Sequence, residues 1–331
     1  MTDYLSDRTQ RVFYNNEYSS SVTLKCGTPQ GSQLGPLLFA IYVNDIINCS
    51  RILDFSLYAD DSNAGAAGAD LCDLYALINR ELCLMNRWIK SNGLSTNNVK
   101  LLHILFSGTN VNVNYVIRLG DSIVKKGSHT KLLGLLIDER LKWDQHVLSI
   151  SKKISKLCGI MYLVRKKLND QSLITIYYSL IYSHVTYCIS IWGGTWLCHL
   201  KPLISAQKRF VKLIFYSTRY DRSLPLFVEH KLLCLDYIYR YFSGLVIFKF
   251  LNLGYCTDVF SEAHNAYALR RNYNNVAVPF FRTSRGQRSI LFTAPTIWNN
   301  LPLYLKTISN INRFKRLYKR FLLQHQSNQL H

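Results

Sequence analysis

The stretch ILDFSLYADDSNAG, residues 52–65, sets two aspartates side by side. Asp60 and Asp61 follow a β-prone run, FSLYA, and precede the small residues Ser62, Asn63, Ala64 and Gly65. The pattern reads as strand, tight turn, strand. A strand that ends in two carboxylates concentrates negative charge at the rim of a sheet. An Asp-Asp-Ser tip also suits an ordinary solvated turn, so spacing alone leaves two readings open. If the charge is used, its counter-ion is a hard cation. Mg²⁺ prefers carboxylate oxygen, and two-metal phosphoryl transfer needs ligands of this type.

Upstream lies CGTPQGSQLGPLLFAIYVNDI, residues 26–46. GTPQG, residues 27–31, packs two glycines and a proline into a turn. From Ser32 the pattern becomes helical and predicts a buried helix. Leu34, Leu37, Leu38, Ile41, Tyr42 and Ile46 line one broad apolar face, and Pro36 is tolerated in a first turn. A glycine loop lets a flat ligand approach the backbone, because no side chain stands in the way. Residues 11–26 alternate loosely and predict a strand entering this turn.

Downstream, Leu71, Leu74, Ile78, Leu82, Met85 and Ile89 recur at helical spacing and predict an amphipathic helix over 68–91. Residues 99–106 and 111–124 are strand-like, and KLLGLLID, residues 131–138, predicts one more short apolar strand. The first half is expected to be α/β, with helices over a mainly antiparallel sheet. After Leu141 the patterns turn helical, over 144–170, 171–192 and 200–253, with breaks at GGTW and RSLPL. The tail helix, residues 309–323, sets Ile311, Phe314, Tyr318 and Phe321 against Arg313, Lys315, Arg316, Lys319 and Arg320.

Charge divides the chain more sharply than hydropathy. The 331 residues carry 40 Lys and Arg against 20 Asp and Glu. Residues 1–150 are balanced, at 14 against 14, whereas residues 151–331 hold 26 against 6 and so account for the whole net charge of +20. A field that strong and one-sided suits a polyanion, nucleic acid first and an acidic membrane surface as its rival. Lys152, Lys153, Lys156, Arg165, Lys166 and Lys167 fall along one predicted helix and suit sequence-independent phosphate contacts. The nine cysteines form no CxxC and no zinc spacing, so they read as reduced and mostly buried. The polar start MTDYLSDRTQ leads us to expect no signal peptide. Residues 172–197 read as a core helix or helix pair rather than a membrane span.

A PQG turn, a GPLLF helix and a YADD hairpin, in this order and separation, are a far more specific signal than any one of them. Together they resemble the reverse transcriptases of non-LTR retrotransposons, the jockey-like LINE group. YLSDRTQRV (4–12) is similar to the segment before the family's PQG motif, and LYADD (57–61) to its catalytic hairpin. LSTNNVKLLHILFSG (94–108) resembles the next motif, with Lys100 at the lysine position but Leu101 where the family usually has Thr. KLLGLLIDERLKWDQHV (131–147) is similar to the primer-grip strand and the entry to the thumb. SLIYSHVTYCISIWG and TAPTIWNNLPLYLK resemble segments beyond the polymerase, so the likeness covers nearly the whole chain.

The resemblance implies a right-hand polymerase palm, an antiparallel sheet plus helices, over residues 1–140. A helical thumb-like region over 141–200 and a basic, mainly helical region over 201–331 would follow. It implies that Asp60 and Asp61 hold Mg²⁺ or Mn²⁺, chiefly through the first of the pair. Pro29, Gln30, Gly31 and Tyr58 would contact the incoming nucleotide and template. Lys100 would meet the leaving pyrophosphate, and Leu133 and Gly134 would position the primer end. Partners would be an RNA template, a DNA primer and dNTPs, with no membrane and no small-molecule cofactor. The place of action would be intracellular, and nuclear if the chain is functional. The family's first metal-binding aspartate sits upstream of the segment matching YLSDRTQ. That strand and the fingers are expected to be missing here, and Asp3 and Asp7 stand in the wrong motif context to replace it. Two classes of function therefore stay open: RNA-directed DNA polymerase, and a catalytically inactive nucleic-acid-binding remnant.

Overall fold

The computed structural model describes residues 6–24, 27–29, 31–108, 115–261 and 275–329. The chain is mixed α/β and divides into two compact units, Met1–His103 with Asn110–Gly127, and Ile104–Thr109 with Ser128–His331.

The first unit holds the strands predicted around the aspartates, but not in one sheet. Instead of a strand running into the PQG turn, residues 9–23 form a narrow hairpin. β1 (Thr9–Gln10) pairs with β4 (Val22–Thr23), and β2 (Phe13–Tyr14) with β3 (Glu17–Tyr18). Asn15 and Asn16 both take positive φ at its tip, the conformation a two-residue hairpin loop demands and asparagine tolerates. Next come α1 (Leu34–Val43), a 3₁₀ turn (Asn44–Cys49), then β5 (Asp54–Tyr58) and β6 (Asp61–Gly65), paired antiparallel. Helix α2 (Leu71–Ser91) follows, capped by the Asp70 carboxylate on the Asp73 N–H. It carries the core of the unit, Tyr75 against Ile117, Leu119 and Val124 of the hairpin β8 (Ile117–Leu119) and β9 (Ser122–Lys126). β7 (Leu102–His103) joins β9 in parallel. Among the described residues the expected antiparallel sheet is thus replaced by separate two- and three-stranded ribbons.

Helix α1 also departs from expectation. Gly35 is its buried residue, while Leu37 and Ile41 remain 54% and 63% exposed. Among the described residues, Tyr42 anchors it by donating its hydroxyl to the Asn92 carbonyl beyond α2.

In the second unit KLLGLLID is a hairpin, not one strand. β10 (His129–Leu132) returns as β11 (Leu135–Asp138) through Leu133 and Gly134. Helices α3 (Asp144–Val164), α4 (Asp170–Ile176), α5 (Ser183–Thr186), α6 (Ile189–Trp192) and α7 (Leu197–Ile214) follow. Leu173, Tyr177, Ile181, Val185 and Ile189 are all buried at steps of four. An α-helix repeats about every 3.6 residues, so such a stripe would drift off the core. The π turn over Tyr177–Tyr182 takes up the difference. The run breaks at Cys188, which is left-handed, and Trp192 Nε1 bridges the break to the Tyr187 carbonyl. No described helix is long and apolar enough to cross a membrane.

The RSLPL segment opens α8 (Leu224–Glu229), because proline suits a first helical turn. The buried helix α9 (Leu235–Leu253) packs against α10 (Ile290–Asn299) and the tail helix α12 (Ile311–Ser327), past the short α11 (Leu303–Lys306). Phe314 and Tyr318 face inward as the tail's pattern predicts. In TIWNNLPLYLK, Asn299 exchanges two hydrogen bonds with Val276, and the buried Lys306 ammonium donates to Asn275 Oδ1 and the Asn299 carbonyl. That motif is a structural clasp. The cysteines are more exposed than expected. Cys158 is buried, but Cys72, Cys83, Cys198 and Cys256 lie on the surface, and those described are all free thiols.

Candidate active site and nucleic-acid surface

The aspartate hairpin is rooted by a buried polar node. The Ser50 hydroxyl donates to Glu81 Oε2 at 2.7 Å and accepts the N–H groups of Ile52 and Leu53 at 3.1 and 3.0 Å. Arg80 Nε lies 3.0 Å from Glu81 Oε1. The Ser50 hydrogen bond, helped by Arg80, holds the Glu81 carboxyl below its ordinary range. Both ends of the node are buried, so the start of β5 is tied to α2.

From there Phe55 and Leu57 turn half-inward and Ser56 and Tyr58 outward. Tyr58 pairs with Asp61, leaving Ala59 and Asp60 as the two-residue tip. Ala59 adopts φ 50°, a left-handed conformation that an alanine holds only under constraint. The structure therefore brings Tyr58, Asp60 and Asp61 together on one rim, all exposed. The carboxylates of Asp60 and Asp61 are the right donors for a hard divalent cation but too few to enclose one. Among the described residues no group of three or more His, Cys, Asp or Glu converges.

The second element is the loop before α1. Gly27 and Gly31 take φ +84° and +83°, values a side chain would strain. The Ser32 N–H donates to the Pro29 carbonyl at 3.3 Å, and Ser32 Oγ accepts the Gly35 N–H at 3.0 Å. Pro29 and Gly31 thus sit in a turn locked onto a helix N-terminus. Gln30 lies outside the described residues.

Lys100 ends a turn closed by its own N–H on the Asn97 carbonyl at 3.0 Å, and its side chain is exposed. Three residues on, His103 fixes the strand. Its Nδ1 meets the Val124 carbonyl at 3.2 Å and its Nε2 the Tyr75 hydroxyl at 3.4 Å. Burial pushes the imidazole pKa down, so the neutral ring donates from Nδ1 and accepts at Nε2.

Leu133 and Gly134 fall in the second unit. Both take positive φ, 46° and 89°, in a two-residue hairpin tip. Tyr187 donates its hydroxyl to the Leu133 carbonyl, and its ring lies 3.5 Å from where a Gly134 Cβ would stand.

Sequence reasoning missed what holds this hairpin. Asp138 accepts three backbone N–H groups, from Arg140 and Lys142 at 3.0 Å and Trp143 at 2.8 Å. Buried His146 accepts the Leu136 N–H on Nδ1 at 3.3 Å, its ring edge-on to Trp192. Desolvation holds its pKa low. The D-x₇-H spacing carries no recognisable motif, so only the fold exposes it.

Of the predicted phosphate-contact residues, Lys152, Lys153 and Lys156 are exposed on α3, and Lys166 and Lys167 on the 3₁₀ turn after it. Arg165 instead turns inward, donating to the Leu213 carbonyl at 2.6 Å between the rings of Tyr162 and Tyr216.

Residues 1–137 match the family described as reverse transcriptase (RNA-dependent DNA polymerase). The probable RNA-directed DNA polymerase from transposon X-element of Drosophila melanogaster is 26% identical over 70% of this chain and 26% of its own length. That from transposon BS of the same species is 27% identical, over 68% of this chain and 26% of its own length. The RNA-directed DNA polymerase from mobile element jockey, also of this species, is 22% identical over 66% of this chain and 25% of its own length. The chain therefore spans about a quarter of the length of these curated relatives. No solved structure matches it.

Proposed function

We propose, from the match of residues 1–137 to the reverse transcriptase family and the likeness to the X-element and jockey polymerases, that the chain carries a reverse transcriptase domain of the non-LTR retrotransposon kind and serves RNA-templated DNA synthesis from a DNA primer and dNTPs. The observation that carries the reading is the two-residue hairpin tip that sets Asp60 beside Asp61, with a left-handed Ala59 before them. In this reading the first unit is part of a polymerase palm and the helices from Asp144 onward begin a thumb.

Asp60 and Asp61 would supply carboxylate oxygens to Mg²⁺ or Mn²⁺, which when bound lowers the cost of charge building on a transferring phosphoryl group. Further ligands would have to join them, since two carboxylates do not fill a near-octahedral shell. Pro29 and Gly31 suit the flat face of a nucleotide pair, because the locked loop offers backbone without side-chain bulk at Gly31. Gln30 would act from the same loop, and Tyr58 beside the aspartates. The exposed Lys100 ammonium would meet the leaving pyrophosphate's charge. Leu133 and Gly134 would hold the primer end. With this activity the chain would work in the nucleus, where target DNA lies.

A second reading, a nucleic-acid-binding remnant without turnover, is favoured by the absence of a converging acidic cluster among the described residues. The test is Mg²⁺-dependent dNTP incorporation on a primed RNA template. Incorporation that Asp60→Asn abolishes supports the polymerase. No incorporation at any protein concentration, with template still bound, supports the remnant.

A further inference from the structure

The basic second unit carries one exposed aromatic cluster that its core does not use. Many of its described aromatic rings are buried, Tyr177, Phe210, Phe248, Phe314 and Tyr318 among them. Tyr162, Tyr216 and Tyr220 are not, at 63%, 51% and 94% exposed. Tyr162 belongs to the last turn of α3, and the other two to the loop after α7.

This surface is built rather than frayed. The Arg165 guanidinium lies 5.3 Å from the Tyr162 ring centre and 4.8 Å from that of Tyr216. Tyr216 returns its hydroxyl to the Arg165 carbonyl at 2.9 Å, and holds a left-handed φ of 55° to do so. The loop beyond is tied twice. Asp221 accepts the Ser217 hydroxyl and the Thr218 N–H at 2.7 and 2.6 Å, and Lys212 Nζ donates to the Arg219 carbonyl at 2.8 Å. A loop pinned at Ser217, Thr218 and Arg219 therefore presents Tyr220 between Arg219 and Arg222, all three exposed.

We infer that the Tyr162–Arg165–Tyr216 stack and the Arg219–Tyr220–Arg222 loop tip form a platform for single-stranded nucleic acid. A nearly bare tyrosine offers a face on which an unpaired base can stack, whatever its identity. Bases within a duplex are already stacked and leave only phosphates to such a ring. Arg219 and Arg222 supply the phosphate contacts, and Asp221, the acid between them, is occupied within its own loop. The inference rests on the reading, common to both proposed functions, of the chain as a nucleic-acid-binding protein.

The experiment is fluorescence anisotropy of the full chain with an oligouridylate of about 12 nucleotides, a span suited to such grooves, beside a duplex of equal length. Tyr220→Ala is expected to weaken oligouridylate binding about tenfold, the scale of one lost base stack. Duplex binding should hold, and Tyr220→Phe should restore affinity. Arg219→Ala and Arg222→Ala should each lower the salt dependence of binding by about 0.7 in log–log slope. Tyr220→Ala binding like the parent, or losing duplex and single strand alike, overturns the platform. So does binding to phosphatidylserine vesicles that oligouridylate does not displace. The polymerase reading fails separately: no dNTP incorporation together with a Tyr220-dependent single-strand affinity removes that reading and leaves this one standing.

Discussion

Ser50 and Glu81 meet at 2.7 Å inside the first unit, and through this bond the strand leading to the aspartates is fastened to the long helix. Ser50→Ala is expected to lower the melting temperature by about 2–4 °C, since the Glu81 carboxylate would lose its nearest donor and the Ile52 and Leu53 N–H groups their acceptor. The folded Glu81 pKa is depressed, so its stabilisation is present above the ordinary carboxylate pKa. It is lost as pH falls through the lower folded value. Glu81→Gln should flatten that acid limb. An unchanged limb in thermal melts between pH 5 and pH 3 would remove Glu81 from the account.

Leu133 and Gly134 give a second prediction. Leucine at positive φ carries a backbone cost of roughly 1 kcal/mol that asparagine partly avoids. Leu133→Asn should therefore raise stability, and Gly134→Ala should lower it. If this tip also holds the primer, Leu133→Asn gains melting temperature while losing primer extension. A variant that gains both would show that the tip makes no contact of consequence.

His146 predicts a pH response near neutrality. Its Nδ1 must stay unprotonated to accept the Leu136 N–H, and its folded pKa lies below the usual value near 6.5. The unfolded chain therefore binds a proton that the folded chain refuses. Stability is unaffected well above pH 6.5 and falls as pH drops below it, down to the folded pKa. Urea melts at pH 7.5 and pH 5.5 should separate the parent from His146→Phe, whose stability should change less between the two.

Lys100 is the remaining test of the chemistry. Removing a cation that meets developing charge typically costs 10²–10³-fold in rate. Lys100→Ala should lower single-turnover incorporation by about that factor, with template affinity near the parent's. Equal loss of template binding would make Lys100 a simple phosphate contact.

The local sequence determined a good deal of this. The alternation before Asp60, the helical period over residues 71–91 and the inward stripe of the tail helix are all short-range patterns, and each appears where its period requires. The order of PQG, YADD and Lys100 motifs was legible for the same reason, since each occupies one turn or strand end. KLLGLLID was harder. Its apolar run suits one strand as well as two, and only the positive φ of Leu133 and Gly134 splits it. Helix α1 failed in the other direction, because its apolar face states what could be buried and not what lies against it. The Ser50–Glu81 bond spans 31 positions, and the Tyr187–Leu133 bond 54. The Arg165 stack joins residues 162, 165 and 216. No period or motif encodes such pairs. They exist because the folded chain brings distant groups within reach of one another; where the meeting place is buried, as at Ser50 and Glu81, water cannot satisfy the polar groups and each must find its partner within the protein.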